Sequence, residues 1–317
     1  MSPKDFIEKK LQKLKTPLDT PVESDIEEQI FKFALSKKFR KYSANEELIK
    51  HTKEVIHYCV TNNKPINFTF LHGAYKLWRL DEAPYADWAE LFALMYYSNY
   101  VKRICEVYEP GVWFDLFVDD WILEDIDNLR PEEVHEYISS YQEVVGFLKQ
   151  YQPNNLRMTI TPVSSQFASR EEFERKLAES EDGMDLPELD SAAIRMVELN
   201  ARVDDSTKSD PEWREKIYRK HNAYLKIKGE TGYHKGRPDK ILVFSQPLPS
   251  GTTISLGTTK SSIAKFWVGV GALKRDGEAY KEVILSPKQL ETADYEWRDI
   301  HIDGLDGRNF QRIRVVS

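Results

Sequence analysis

Twice in succession the chain runs strand, helix, strand. Ile66-Asn67-Phe68-Thr69-Phe70-Leu71 alternates apolar and polar side chains, the period of a half-buried strand. A polar loop follows from His72 and carries Tyr75, Lys76, Trp78, Arg79, Asp81 and Glu82, with Pro84 just before the next element. Asp87 is placed to cap a helix, and Glu90 three residues on makes an acidic variant of the capping box. Trp88, Leu91, Phe92, Met95 and Asn99 recur at helical spacing, and Lys102 and Arg103 fall in its expected last turns, where cations suit the dipole. Pro110-Gly111 breaks that helix, and the apolar run Val112 to Val118 ends in Asp119-Asp120. Pro131 suits the first turn of a second helix, which runs to about Tyr151, and Leu156 to Ile160 is a third strand. Parallel strands are joined by crossovers, usually helical, so two such units predict a parallel sheet with ligands at the carboxyl ends of its strands.

The rest of the chain is arranged around this core. Residues 1–65 form a helical lead, with helices over 5–14, 25–39 and 45–62. The first is basic and amphipathic, and such a helix most often docks on its own domain. Residues 66–168 are the α/β core, with 121–129 as an irregular link. Residues 169–230 are a charged helical insertion, with helices over 171–180, 189–203 and 211–228, the last with a basic, solvated face. Residues 231–317 are strand-rich. A loop to Asp239 precedes strands at 240–244, 252–256, 264–270, 282–285 and 312–316, with a short helix over 287–291. The expected class is α/β: a Rossmann-like, mainly parallel sheet with N-terminal helices, a helical insertion and a β-rich C-terminal part that shares one core with 66–168.

Composition narrows the function. A hydrophobic content of 41% and 317 residues are enough for a sizeable core. A net charge of −7 and a pI near 5.7 argue against a general nucleic-acid or anionic-membrane binder. The N-terminus is charged throughout, and no apolar run approaches the roughly 20 residues of a membrane span, so the expectation is a cytoplasmic protein. Cys59 and Cys105 lie among apolar neighbours and are expected to be buried thiols.

Familiar motifs are absent. Gly257-Thr258-Thr259-Lys260-Ser261-Ser262 lacks the glycine spacing and the following helix of an NTPase phosphate loop, although Lys260, Ser261 and Ser262 suit an anion. No glycine fingerprint follows a strand, which disfavours NAD, and no Gly-x-Ser-x-Gly elbow is present. His51 and His57 are not four apart. Asp119, Asp120, Asp125 and Asp127 offer oxygen ligands without EF-hand spacing, so no metal site is expected.

Lys76 after the first strand, then Asp87 and Glu90, Tyr108-Glu109-Pro110-Gly111, and Asp119 after the second strand form an ordered series. Lys240 to Phe244, Ile254-Ser255-Leu256 and Phe266-Trp267-Val268-Gly269 continue it. This series resembles the isocyanide (isonitrile) synthase family of pyoverdine- and dityrosine-type pathways, over roughly 66–163 and 240–269. Leu77 and Arg79 stand where that family has Ser and Asn, Asp120 where it has Gly, and Gln246 and Val268 where it has His. The resemblance implies an isonitrile-synthase-like enzyme acting on an amino acid, with ribulose 5-phosphate as carbon donor and no metal or organic cofactor. It implies Lys76, Asp87 and Asp119 as catalytic residues. Binding falls to His72, Tyr75, Arg79, Glu90, Lys260, Ser261, Ser262 and Trp267, and one concave pocket is expected to unite Lys76, Arg79, Asp87, Asp119 and the Lys260 loop. Lys76 would engage a carbonyl or a phosphate; a Schiff base needs its pKa lowered, by burial or by a cation such as Arg79. Two other readings stand beside this one. One is a sugar or nucleotide transferase with Mg²⁺ on Asp119-Asp120, and the other a non-catalytic binding protein on the same fold.

Overall fold

The computed structural model describes residues 1–72, 76, 78–182, 184, 201–230, 239–245, 251–257 and 263–317. The chain begins with helices α1 (Pro3–Lys15), α2 (Ile26–Ala34) and α3 (Glu46–Thr61). The core follows as β1 (Ile66–His72), α4 (Trp88–Val107), β2 (Val112–Val118), α5 (Asp120–Asp125), α6 (Pro131–Leu148) and β3 (Leu156–Pro162). Next come α7 (Arg170–Glu181), α8 (Asp205–Ser209), α9 (Pro211–Glu230), β4 (Ile241–Phe244) and β5 (Thr253–Ser255). The chain closes with β6 (Val270–Asp276), β7 (Ala279–Leu285), α10 (Pro287–Leu290), β8 (Tyr295–Asp299) and β9 (Arg312–Val316).

The first five strands form one wholly parallel sheet in the order β3-β2-β1-β4-β5. The order reverses between β1 and β4, and in open parallel sheets ligands bind at such a switch point, beyond the carboxyl ends of the strands. Helix α4 covers one face: Tyr97 stacks on Phe114 at 4.8 Å, and Tyr100 meets Phe68 edge-on at 5.5 Å. The other face is polar in its middle, where Thr159 and Thr161 each donate to Asp115 Oδ1 at 2.6 Å. Further along that face, Leu71 and Phe117 bury against Phe173, Ile217, Ala223 and Tyr224 of α7 and α9. The helical insertion therefore lies over the strand ends.

The second sheet, in the order β7-β6-β9-β8, is antiparallel except for the pair β6 and β9. Its Leu273, Ile284, Ile313 and Val315 belong to the same hydrophobic cluster as α1, α4 and the parallel sheet. Helix α1 docks on this assembly through Phe6, Ile7, Leu11 and Leu14, and Lys10 reaches Glu282 of β7 at 2.9 Å.

Several elements differ from the sequence expectation, each for a physical reason. Helix α2 stops at Ala34 because Phe39 and Lys41 pair instead with the β5 edge, through Gly257 N–H to Phe39 O at 2.9 Å and Lys41 N–H to Ser255 O at 2.8 Å. Helix α4 runs on to Val107, so Lys102 is not in its last turn. Its ammonium instead bonds Lys13 O at 2.7 Å and Thr16 O, capping α1 with a cation. The link expected over 121–129 begins with helix α5, which buries Ile122 and Leu123. The strand expected over 264–270 is a 3-10 turn, Ile263–Val268, followed by β6. Adjacent Phe266 and Trp267 are both buried, which a half-buried strand with side chains on alternate faces cannot achieve. Strand β8 alternates Tyr295 and Trp297 with Glu296 and Arg298 over only five residues, and it is absent from the sequence expectation. The helix expected over 189–203 lies almost entirely outside the described residues. So does most of the loop expected before Asp239.

Candidate active site

The site residues fall into two groups at the carboxyl end of β1. The first is a closed ionic cluster. Lys76 Nζ lies 3.0 Å from Asp87 Oδ2 and 2.6 Å from Glu90 Oε2, with all three side chains at most 2% exposed. The cluster grows out of the cap of α4. Asp87 Oδ1 accepts from Ala89 N–H at 2.6 Å, and Glu90 Oε2 accepts from Asp87 N–H at 2.9 Å. Two other elements close it: Gly271 N–H of β6 donates to Asp87 Oδ1 at 3.0 Å, and Tyr137 O–H of α6 to Glu90 Oε1 at 3.1 Å. A Cβ at Gly271 would lie 2.4 Å from Ala89 N, so only glycine lets β6 approach the cap.

Burial pulls the Lys76 pKa down, but the two carboxylates outweigh it and the ammonium is held above its ordinary value. The pKa moves opposite to the shift that Schiff-base chemistry requires. Burial pushes Glu90 up to about 7, opposed mainly by Lys76. The family of bonds around Lys76 is that of a satisfied buried network, which is rigid.

The second group lies where β1 and β2 end. Asp119 N–H donates to His72 O at 3.4 Å, extending the strand ladder by one residue. Its carboxylate does not cap α5 but accepts from Tyr224 O–H of α9 at 2.6 Å. Asp127 is buried, and burial together with the negative charge of Asp119 pushes its pKa to about 7, against the pull of Arg79. The Arg79 guanidinium lies 4.7 Å over the Trp78 ring, and Lys208 of α8 lies 5.5 Å over the same ring. Next to these, Asp120 accepts from Ser164 N–H at 3.0 Å and is raised by burial.

His72 and Trp267 join the two groups. The His72 ring packs among Phe70, Tyr141, Phe266 and Trp267, at 4.9 Å from Phe266. Trp267 stacks on Phe244 of β4 at 5.6 Å, and its carbonyl accepts from Lys76 N–H at 3.2 Å, so it sits at the reversal of strand order. Tyr75, Lys260, Ser261 and Ser262 lie outside the described residues. Among the described residues, no three His, Cys, Asp or Glu side chains converge as a metal ion requires, and no helix is long and apolar enough to cross a membrane.

Sequence reasoning missed four contributors. Tyr137 and Tyr141 recur four apart on α6, a spacing that reads equally well as core. Tyr224 was hidden in a helix read as a basic surface; its signal is the buried stripe Ile217, Ala223, Tyr224 and Ile227. Asp127 stood out only as a weak metal ligand.

No protein-family model matches the chain, and no curated protein matches it in sequence. Among solved structures, the chain is similar to the PvcA protein of Pseudomonas aeruginosa. The TM-score is 0.61 at 14% identity, over 92% of this chain and all of that one. The two share a fold over that length.

Proposed function

We propose that the chain is an isonitrile-synthase-like enzyme acting on an amino acid with a phosphosugar of the ribulose 5-phosphate class, without a metal or organic cofactor. The observation that carries this reading is buried Asp127, which feels the charges of Arg79 and of Asp119, the residue directly after β2. Joining an amine to a sugar carbonyl needs a group that gives and takes protons near neutral pH. A buried carboxyl near 7 with a second acidic side chain beside it suits that work. Arg79 supplies a fork for a phosphate, and Trp267 and His72 an aromatic wall for the amino acid. Tyr75, Lys260, Ser261 and Ser262 are assigned to substrate binding by the sequence resemblance alone. Lys76, Asp87 and Glu90 form the fixed ionic wall behind the site; Lys76 engages a carbonyl only if it leaves both carboxylates. The ordered residue series and the fold likeness to PvcA support this reading.

The test is incubation with tyrosine or tryptophan and ribulose 5-phosphate in EDTA, with infrared detection of the isonitrile. Product is expected, and Asp127→Asn should lower the rate by about 100-fold or more. No product, together with turnover of a nucleotide sugar that requires Mg²⁺, would favour the transferase.

A further inference from the structure

A cavity of about 200 Å³ lies on the far side of the Asp87 cap, on the outer face of the second sheet. Asp87 is a wall common to the cavity and the Lys76 cluster, but its oxygens are already committed to Lys76, Ala89 and Gly271. The remaining charged walls are Arg308, Arg312 and Arg314 with Glu82 and Asp81, and Trp297 lies among them. Arg312 and Trp297 and Arg314 share one face of the β8–β9 ribbon, and each guanidinium lies 4.1 Å from the Trp297 ring. Asn309 fixes the 82–86 loop over this face through its amide to Glu82 O, at 2.8 Å, and to Tyr85 O and Ala86 O.

Two observations say that this cavity is built for an occupant. Arg314 is 6% exposed and bonds one oxygen of Glu82, yet its buried Nε has no hydrogen-bond partner among the described residues. The second oxygen of Glu82, also buried, has none either. A buried pair left half-satisfied costs stability unless something completes it. Arg308 and Arg312 are exposed and make no ion pair among the described residues; Arg308 rests on the Tyr85 ring and Arg312 on Trp297. Guanidinium forks match the oxygens of a tetrahedral oxyanion. The leftover acceptor on Glu82 asks that the same occupant also donate a hydrogen bond.

We infer that this cavity is a second binding site, for a protonated oxyanion of the phosphate class. Arg308, Arg312 and Arg314 hold its oxygens, and Glu82 accepts from its hydroxyl. At neutral pH inorganic phosphate carries at least one hydroxyl and sulfate carries none. Glu82 therefore favours phosphate and repels sulfate. The site stands apart from the strand-end residues and does not depend on the reading given for them.

The test is calorimetric titration of the full chain with inorganic phosphate and, separately, sulfate, at pH 7 and constant ionic strength. Arg308→Gln and Arg312→Gln serve as variants, since both positions are exposed and their unfolding curves can be checked first. Saturable binding of one phosphate is expected, weakened tenfold or more in either variant, with sulfate at least tenfold weaker than phosphate. Absence of saturable binding, or binding unchanged in both variants, would overturn the site. Equal affinity for the two anions would overturn the role of Glu82.

Discussion

The two carboxylate groups at the end of β1 are built from similar residues and behave differently. Around Lys76, Asp87 and Glu90 every charge has a partner, from the α4 cap, β6 or α6. Asp127, among the described residues, feels the negative charge of Asp119 and the positive charge of Arg79, and burial with Asp119 pushes it to about 7. The first arrangement holds elements together; the second stores the capacity to move a proton. Burial alone does not distinguish them, because Glu90 and Asp127 are both buried and both raised. What differs is whether the field around the acid is closed by fixed donors.

The largest effect should come from breaking the closed cluster. Lys76→Met leaves two buried carboxylates without their cation, and urea unfolding should show a loss of about 3–5 kcal/mol. Little loss would mean that the cluster is not closed in solution. The open group should show itself in pH dependence. The folded protein binds the Asp127 proton more tightly than the unfolded chain, because the folded pKa is about 7 and the ordinary one 3.8. Stability from this residue is thus fully present below the ordinary value and is lost as pH rises toward about 7, by up to about 4 kcal/mol. Unfolding curves across that window should fall more steeply for the wild type than for Asp127→Asn. Parallel curves would remove the distinction between the two groups.

Smaller changes sharpen the comparison. Gly271→Ala drives a methyl against the α4 cap, and overpacking there should cost about 1–3 kcal/mol by chemical denaturation. Tyr224→Phe removes the hydroxyl that Asp119 accepts from, which should cost about 1.5 kcal/mol and change catalysis more than Gly271→Ala does. The reverse ranking in activity would place the working residues in the closed cluster.

The parallel sheet was legible because Ile66–Leu71 and Leu156–Ile160 alternate and Asp87 with Glu90 announces a helix start. These are local signals with local causes. Asp87 and Glu90 were readable as a cap, but not as the anions of a buried lysine, because that depends on Gly271 and Tyr137, far along the chain. The partner of Asp119 was illegible for the same reason: Tyr224 comes from a helix whose charged residues outnumber its apolar stripe. Phe266-Trp267-Val268 misled because an apolar run gives no period with which to separate a strand from a buried turn. The arginine cavity was invisible, since Trp297, Arg312 and Arg314 meet only through the pairing of β8 with β9.

The most direct test of the account is a thermal and urea unfolding series with ribulose 5-phosphate on the wild type and on Arg79→Gln. A ligand at about 100 times its Kd adds about 2.7 kcal/mol to stability. The account predicts that gain in the wild type and its loss in Arg79→Gln, with Arg308→Gln still responding. No gain in the wild type, or an equal gain in Arg79→Gln, would contradict a phosphosugar site at the ends of β1 and β2.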